Sequence, residues 1–267
     1  MTSTSLAMTA DLLSGLLRHD RAVVLGGLLT VAASAWIYLL LGAGIEMEMM
    51  DMGGGQVMAM SPEWTLGYGA LIFAMWAVMM VAMMLPSAAP SILLAAALDR
   101  QRGATGAPGR SALFASGYLL VWFGFSLVAT LLQSALDELG LLSETMVASN
   151  RILAGGVLIA AGLYQWTPLK DVCLAHCRSP IEFLVRHWRN GSFGAVVTGV
   201  RHGLFCLGCC WMLMALLFVG GVMNLLWIAA IALLVLIEKT LPLGGRMARI
   251  TGTLLAFWGG ADLALAI

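Results

Sequence analysis

Charged side chains are scarce in this sequence. They make up 10% of its 267 residues, whereas a soluble domain carries about 25%. A chain with so few charges cannot cover a water-facing surface, and its hydrophobic share is 61%. The composition therefore excludes an ordinary soluble domain. It predicts a membrane protein that crosses the bilayer several times and has lipid against its outer face.

The motifs of several common functions are also missing. The formal net charge is +0, and no basic stretch points to nucleic acid as a partner. No glycine-rich phosphate loop marks a nucleotide-driven motor. Neither a Ser/His/Asp arrangement nor a paired-carboxylate site supports hydrolysis. We therefore expect a binding or transport protein rather than an enzyme, without catalytic residues or an organic cofactor.

Seven apolar runs are candidates for membrane helices, which need about 20 residues each. The runs are 23–44, 65–98, 112–136, 151–166, 194–222, 225–237 and 250–267. They predict an all-α fold, a polytopic membrane helix bundle of about seven transmembrane helices. We expect residues 1–22 to be a cytoplasmic N-terminal segment and residues 23–267 to be a single transmembrane helical domain. No signal-peptide cleavage site ends the first run, so we expect it to be retained.

The second apolar run is too long for one straight span and contains Pro86 and Pro90. Proline lacks a backbone donor and kinks a helix. Broken helices at membrane depth normally face protein rather than lipid. We therefore predict that the second helix is broken at Pro86/Pro90.

Lysine and arginine fall into alternate segments between the apolar runs. They precede the first run and occur again in 99–110, 167–192 and 238–249, whereas 46–63 and 137–150 contain none. Because these residues collect on the cytoplasmic side of a membrane, the N-terminus is predicted to be cytoplasmic. The same rule makes residues 45–64 an external methionine-rich loop and residues 167–193 a cytoplasmic Cys/His loop.

All five cysteines fall into two short clusters, each of which contains a histidine. The candidate metal ligands are Cys173, His176, Cys177, His202, Cys206, Cys209 and Cys210. In each cluster the spacing places the side chains on one face of a helix. Thiolate and imidazole groups bind zinc and Cu(I). Two such clusters on one side of the membrane can form one site.

Two other interpretations of the cysteines stay open. Cysteine is often a small buried hydrophobic residue with no ligand role. The C-x-x-C motif formed by Cys206 and Cys209 also suits thiol–disulfide exchange, with Cys173 and Cys177 as a second pair.

Eleven of the 18 methionines lie between Met47 and Met84. Six of them belong to the acidic, glycine-rich stretch before the second run, where an exposed loop has no core to fill. The others form two neighbouring stripes on the predicted helix. These helix positions are Met75, Met79, Met80, Met83 and Met84. Methionine is usually a flexible core filler, but thioethers also select Cu(I), so we predict soft-metal binding by both groups.

Glu238 and Lys239 are ionisable residues at the end of the sixth apolar run. Charges near the interior of a membrane are costly and tend to be paired. We expect these two residues to pair with each other locally.

Several long segments together resemble one known family. They are "WAVMMVAMMLPSAAP", "GLYQWTPLKDVCLAHCRSP", "GVRHGLFCLGCCWMLMALLFVGGVMNLLWIAAIALLVLIEKTLP" and "GTLLAFWGG". From about residue 65 to about residue 260, the chain is similar to a bacterial family of predicted metal-binding integral membrane proteins, sometimes labelled copper chaperones. The positions that match its motifs are Met79, Met80, Met83, Met84, Pro86, Pro90, Cys173, His176, Cys177, His202, Cys206, Cys209 and Cys210. The resemblance implies a multi-pass protein of the bacterial inner (cytoplasmic) membrane that binds metal, and it implies no particular reaction.

Together these observations predict an integral membrane protein that binds a soft metal and transports it or hands it to a partner. The expected ion is copper as Cu(I), and zinc is the alternative at the thiols. The expected partners are the lipid bilayer and a copper chaperone or membrane cuproenzyme, but not nucleic acid. Two alternatives stay open: a membrane thiol–disulfide oxidoreductase that uses Cys206/Cys209 and Cys173/Cys177, and a non-catalytic assembly subunit whose methionines and cysteines only pack.

Overall fold

The computed structural model describes residues 3–43, 48–51, 57–60, 63–101, 107–143, 146–187, 189 and 191–266. These residues form ten helices and one antiparallel pair of short strands, in which Glu48 pairs with Met60. In chain order the elements are α1 (Ser3–Leu40), β1 (Glu48–Asp51), β2 (Val57–Met60), α2 (Leu66–Gln101), α3 (Ala107–Glu138), α4 (Arg151–Tyr164), α5 (Pro168–Arg178), α6 (Pro180–His187), α7 (Gly191–Ala215), α8 (Leu217–Gly220), α9 (Leu225–Thr240) and α10 (Gly244–Ala264). Apart from the small hairpin, the predicted all-α fold is confirmed.

Four helical segments of the described chain are long and apolar enough to cross a membrane. They are Ala22–Leu40, Leu66–Leu98, Gly109–Glu138 and Gly191–Gly220. α4 and α5 are bent by 65° at the break between them and bring the number to five if they form one span. A polytopic membrane helix bundle is therefore confirmed, but the predicted count of seven is not. α9, with 16 residues, is shorter than the roughly 20 residues that a bilayer core requires.

α2 runs without interruption through both of its prolines. The predicted break at Pro86/Pro90 is therefore wrong as an interruption of the helix. Proline removes one backbone donor, but membrane helices tolerate it where neighbouring groups supply other hydrogen bonds. The carbonyls that lose their helical donor are those of Ala82 and Pro86, and between them the Met84 carbonyl accepts hydrogen bonds from Ser87 Oγ at 2.9 Å and Tyr118 Oη at 3.2 Å.

Two segments outside the predicted apolar runs are largely helical. α1 begins at Ser3, so most of the predicted N-terminal segment is continuous with the first span. Residues 167–193 were expected to be a loop, but they contain α5, α6 and the start of α7. The side chain of Thr167 accepts a hydrogen bond from the backbone N–H of Lys170, and Pro168 occupies the first turn. These are common signals for the start of a helix.

Glycines allow the helices to approach one another closely. A Cβ atom at Gly199 of α7 would collide with the backbone of Phe114 in α3. A Cβ atom at Gly155 of α4 would lie 2.8 Å from the carbonyl oxygen of Gly259 in α10. Small residues at helix crossings bring backbones together, as is usual in membrane bundles. The crossing of α3 and α7 holds the cysteine-bearing helix in the middle of the molecule.

Apolar side chains cover the outside of the bundle as well as filling its interior. Trp76 and Trp122 are fully buried, whereas Leu131 of α3 and Phe257 of α10 are exposed. In water so much exposed apolar surface would be unfavourable, but it suits contact with lipid.

Candidate metal centre

Cys206, near the middle of α7, lies at the centre of a buried polar cluster. Its Sγ atom accepts a hydrogen bond from Lys239 Nζ of α9 at 2.9 Å and lies 3.0 Å from Tyr118 Oη of α3. Lys239 Nζ also donates to Ser87 Oγ of α2 at 3.0 Å. Side chains of four helices therefore meet at this point. A buried ammonium is costly unless a negative charge lies beside it. The Cys206 sulfur can supply that charge as a thiolate.

The other two cysteines of α7 turn their S–H groups toward the helix backbone. Cys209 Sγ and Cys210 Sγ both donate to the carbonyl oxygen of Cys206, at 3.1 Å and 3.0 Å. Cys210 Sγ also lies 4.0 Å from Met84 Sδ of α2. These contacts place two further thiols and one thioether beside Cys206.

Cys177 of α5 joins the second cysteine cluster of the sequence to the first. Its Sγ atom lies 3.9 Å from Cys209 Sγ. Cys177 is half-buried, whereas the cysteines of α7 are buried. All five cysteines are free thiols.

Cys173 lies in the same helix but packs against the backbone of α7. A Cβ atom at Gly208 would lie 2.7 Å from Cys173 Sγ, so only glycine leaves room for this thiol. The glycine of the "CLGC" segment therefore serves the close packing of α5 on α7.

His202 is enclosed by aromatic rings. The centroids of Phe114, Tyr118 and Phe183 lie 5.8, 5.7 and 5.1 Å from the centroid of its imidazole. His202 is 3% exposed, and among the described residues its Nδ1 has no hydrogen-bond partner. Buried polar atoms are rarely left without a partner. This unpartnered nitrogen belongs to the residue one helical turn before Cys206, on the same face of α7.

His176 points to a different neighbourhood from the one expected. Its ring stacks on Phe205 with centroids 4.1 Å apart, and its Nδ1 lies 2.8 Å from the Val172 carbonyl oxygen. The second ring near it is that of His187, 6.3 Å away between centroids. The sequence spacing placed His176 on the face of Cys173 and Cys177, but it did not reveal this aromatic contact.

The methionine stripes of α2 lie in the hydrophobic core. Met75, Met79, Met80 and Met83 are at most 2% exposed and belong to the same buried cluster as Trp76. Met84, which is also buried, reaches the thiols, since its Sδ atom lies 4.0 Å from Cys210 Sγ. In the predicted external loop, Met47 and Met52 lie outside the described residues, and the remaining four methionines are strand residues of β1 and β2, namely Met49, Met50, Met58 and Met60.

Glu238 and Lys239 do not pair with each other, contrary to the expectation from sequence. Glu238 Oε2 forms an ion pair with Lys170 Nζ of α5 at 2.6 Å, and Lys239 is directed to Cys206. Gln165 completes this network, since its amide oxygen accepts from Lys170 and its amide nitrogen donates to Glu238 at 3.3 Å. In the sequence, the position of Lys239 at the end of an apolar run was the one signal that its ammonium group could pair with a group inside the protein.

The thiols approach one another in pairs rather than as a preformed coordination shell. In the described part of the chain, no group of three or more His, Cys, Asp or Glu side chains has the geometry to hold a metal ion as it stands. The hydrogen bonds from Cys209 and Cys210 to the Cys206 carbonyl direct both S–H groups along the helix. The two thiols therefore do not point at a common centre.

The fold and this cluster together define a helical membrane protein with a buried centre of thiol, thioether, imidazole and ammonium groups. Residues 73–261 match the model of the PpoB2 family, which is described as "Copper chaperone". The chain belongs to that family. The match covers every described residue of the cluster, from Met84 on α2 to Lys239 on α9. No curated protein and no solved structure matches the chain.

Proposed function

We propose that the protein binds Cu(I) at the cluster around Cys206 and hands the ion to a partner, as a copper chaperone inside the membrane. The observation that carries the proposal is the contact between Cys206 Sγ and Lys239 Nζ beside the thiols of Cys177 and Cys209. The family's description supports copper as the cargo.

The donor atoms at the cluster suit Cu(I). Thiolate and thioether ligands are soft and favour Cu(I) over harder ions, and the cluster offers Cys206, Cys209, Cys210 and Met84 within one buried region. The unpartnered Nδ1 of His202 adds a nitrogen donor. A rotation about the Cα–Cβ bond of Cys209 would break its hydrogen bond to the Cys206 carbonyl and free the thiol to bind the ion.

Charge also favours Cu(I) over zinc at a site with two thiolates. Two thiolates carry two negative charges, and Cu(I) together with the Lys239 ammonium carries two positive ones, so the site is neutral. With zinc, the same groups would leave one uncompensated positive charge. Uncompensated charge is expensive in a low-dielectric interior. Lys239 is therefore proposed to set the charge of the cargo.

Cys177 is proposed as the ligand that passes the ion to a partner. It is half-buried on the short helix α5, and its Sγ atom is 3.9 Å from that of the buried Cys209. An ion held by Cys206 and Cys209 can therefore exchange ligands with Cys177 over a short distance. The expected partner is a copper chaperone or a membrane cuproenzyme.

A route to the cluster is proposed along α2. Met75, Met79 and Met83 lie on one helical stripe, and Met84 beside it contacts Cys210. Neutral thioethers can exchange Cu(I) in sequence without any change of charge. In this proposal the external methionine loop captures the ion first.

The test is a Cu(I) competition titration of purified, reduced protein. We expect a tight class of site that weakens as pH falls, because thiolates must lose protons to bind metal, and that disappears when Cys206, Cys209 and Cys210 are replaced by serine. Cys173→Ser is the matched control, since that thiol packs on Gly208, and it should keep the tight class. Retention of tight, pH-dependent binding by the triple variant would refute the thiol site.

A second candidate function is thiol–disulfide exchange, and the Cys177–Cys209 distance of 3.9 Å favours it. The sequence spacing instead suggested the pairs Cys206/Cys209 and Cys173/Cys177. Two thiols would give up two electrons and two protons to a quinone, which would become a quinol while the S–S bond forms. Mass-spectrometric mapping after oxidation of the membrane protein by a soluble quinone tests it. The candidate requires a Cys177–Cys209 disulfide that a thiol reductant reverses, and it is rejected if both thiols stay alkylatable.

A further inference from the structure

His176 and His187 face each other where α5 and α6 pack against α7. Their ring centroids are 6.3 Å apart, and the ring planes are inclined by 53°. His176 lies in the last turn of α5 and His187 is the last residue of α6, with Ser179 between the two helices. Both side chains are half-buried, so they are held by the protein and still accessible.

The hydrogen bonds of both imidazoles leave the same nitrogen available. His176 Nδ1 lies 2.8 Å from the Val172 carbonyl oxygen, and His187 Nδ1 lies 3.1 Å from the Phe183 carbonyl oxygen. A carbonyl oxygen can only accept, so each Nδ1 carries the hydrogen. In the neutral ring, Nε2 then carries the lone pair. A backbone carbonyl that holds Nδ1–H is the usual support of a metal-binding histidine.

Aromatic contacts hold both rings in place. His176 lies flat on Phe205, with centroids 4.1 Å apart and planes 2° apart, and His187 stacks on Phe183 at 5.0 Å. Side chains that are held in this way lose little conformational entropy when they bind an ion. The pair is therefore organised before any ligand arrives.

The separation of the rings is compatible with one shared ion. A metal–nitrogen bond of about 2.0–2.1 Å puts a ring centroid about 3.2 Å from the metal, so two imidazoles on one ion have centroids at most about 6.4 Å apart. The observed 6.3 Å lies within this limit. Imidazole nitrogen suits copper and zinc.

We propose that His176 and His187 form a second copper site, with nitrogen ligands, at the corner of α5 and α6. The site lies next to the thiol cluster, because His176 precedes Cys177 and its stacking partner Phe205 precedes Cys206. A cleft of about 190 Å³ borders His176 and Phe183, the residue on which His187 stacks. The site holds copper at the accessible edge of the cluster, and it does not depend on metal binding by the thiols.

The experiment is electron paramagnetic resonance of Cu(II) added to tag-free protein in detergent. The five cysteines are replaced by serine, so that no thiol binds or reduces the ion. We expect Cu(II) with hyperfine coupling to two imidazole nitrogens. His176→Gln or His187→Gln should remove one of the two couplings, and the double variant should lose the signal of bound copper. His19→Gln, which changes the remaining histidine outside both cysteine regions, should leave the spectrum unchanged.

The natural chain allows the same measurement if the serine variant does not fold. Its thiols are first saturated with Cu(I), which gives no paramagnetic signal, and Cu(II) is then added. The proposal is overturned if the two-nitrogen spectrum persists in the double histidine variant, or if the natural chain shows no such spectrum. Because this readout reports only the nitrogen site, it separates failure here from failure of the Cu(I) site at Cys206.

Discussion

At the residue scale, Lys239 brings a positive charge to the thiol cluster. Lys239 is 7% exposed, and its ammonium group contacts Cys206 Sγ and Ser87 Oγ. Few side chains can occupy such a position, because an ammonium in a membrane interior needs a counter-charge. In the proposed copper complex it balances the second thiolate.

Replacement of Lys239 by methionine should therefore weaken Cu(I) binding at the tight site by at least about tenfold, which corresponds to about 1.4 kcal/mol. The physical reason is that two thiolates and one Cu(I) would leave an unbalanced negative charge in the protein interior. Competition titration with a Cu(I) chelator measures the effect.

Two variants serve as controls for this prediction. Lys239→Arg keeps the positive charge and should keep affinity within a few-fold. Arg246→Met removes an exposed cation near the start of α10 and should have no effect. Equal binding by the parent and Lys239→Met would show that the ammonium does not balance a metal–thiolate charge.

Met84 and Met75 provide a second comparison at this scale. Both are fully buried, and Met84 Sδ lies 4.0 Å from Cys210 Sγ. Leucine replaces methionine with little change in volume, so either variant should cost less than about 1.5 kcal/mol of stability.

We expect Met84→Leu to reduce Cu(I) binding at the cluster and Met75→Leu to leave it unchanged, because Met75 lies more than two helical turns away. X-ray absorption of Cu(I)-loaded protein should show fewer sulfur neighbours in Met84→Leu alone. Identical spectra for both variants and the parent would make Met84 a packing residue, as methionine in a core usually is.

At the element scale, the end of α9 connects two cysteine-bearing helices. Lys239 contacts α7 through Cys206, and the preceding Glu238 pairs with Lys170 of α5 at 2.6 Å. Lys170 is one helical turn before Cys173 and two turns before Cys177. The two adjacent residues therefore determine where α5 lies relative to the thiols of α7.

Glu238→Gln should destabilise the protein by about 3–5 kcal/mol, since it leaves the Lys170 ammonium buried without a counter-charge. Thermal unfolding in detergent provides the measurement. The double variant Lys170→Met with Glu238→Gln should recover most of the loss, because replacement of a buried pair by uncharged groups is often neutral. If the single variant unfolds at the parent's temperature, the pair does not dock α5.

At the scale of the whole molecule, the orientation in the membrane stays a prediction from the distribution of lysine and arginine. Two of the cations that support it, Lys170 and Lys239, are buried in pairs rather than placed at the membrane surface. The remaining support comes from the arginines of the cytoplasmic segments and from the absence of Lys and Arg in 46–63 and 137–150.

Single cysteines introduced at Leu139 and Leu243 test this orientation. Both positions are exposed, at 71% and 54%, and lie in segments predicted to be on opposite sides of the membrane. A membrane-impermeant maleimide should label Leu139→Cys in intact cells and should label Leu243→Cys only in inverted vesicles. The parent protein, whose native thiols are mostly buried, is the control for background labelling. The reverse labelling pattern would invert the predicted topology.

The sequence by itself determined the class of fold, because a chain with so few charges can only bury its surface in lipid, and lipid requires closed hydrogen bonding within helices. It also determined the face shared by His202, Cys206, Cys209 and Cys210, since spacing along one helix is local geometry. It left the number of spans open, and the predicted seven is not confirmed, because a short apolar run such as α9 looks alike whether it crosses a bilayer or packs inside a bundle.

Only the tertiary structure decided which side chains meet across helices. The contacts of Cys206 with Lys239 and of Cys177 with Cys209 join residues 33 and 32 positions apart. Periodicity carries no information about such pairs, because they depend on which helices cross. Those crossings depend in turn on close backbone approach, as at Gly199 on Phe114 and Gly208 on Cys173. For the same reason the pairing of His176 with His187 became visible only once α5 and α6 were folded against α7.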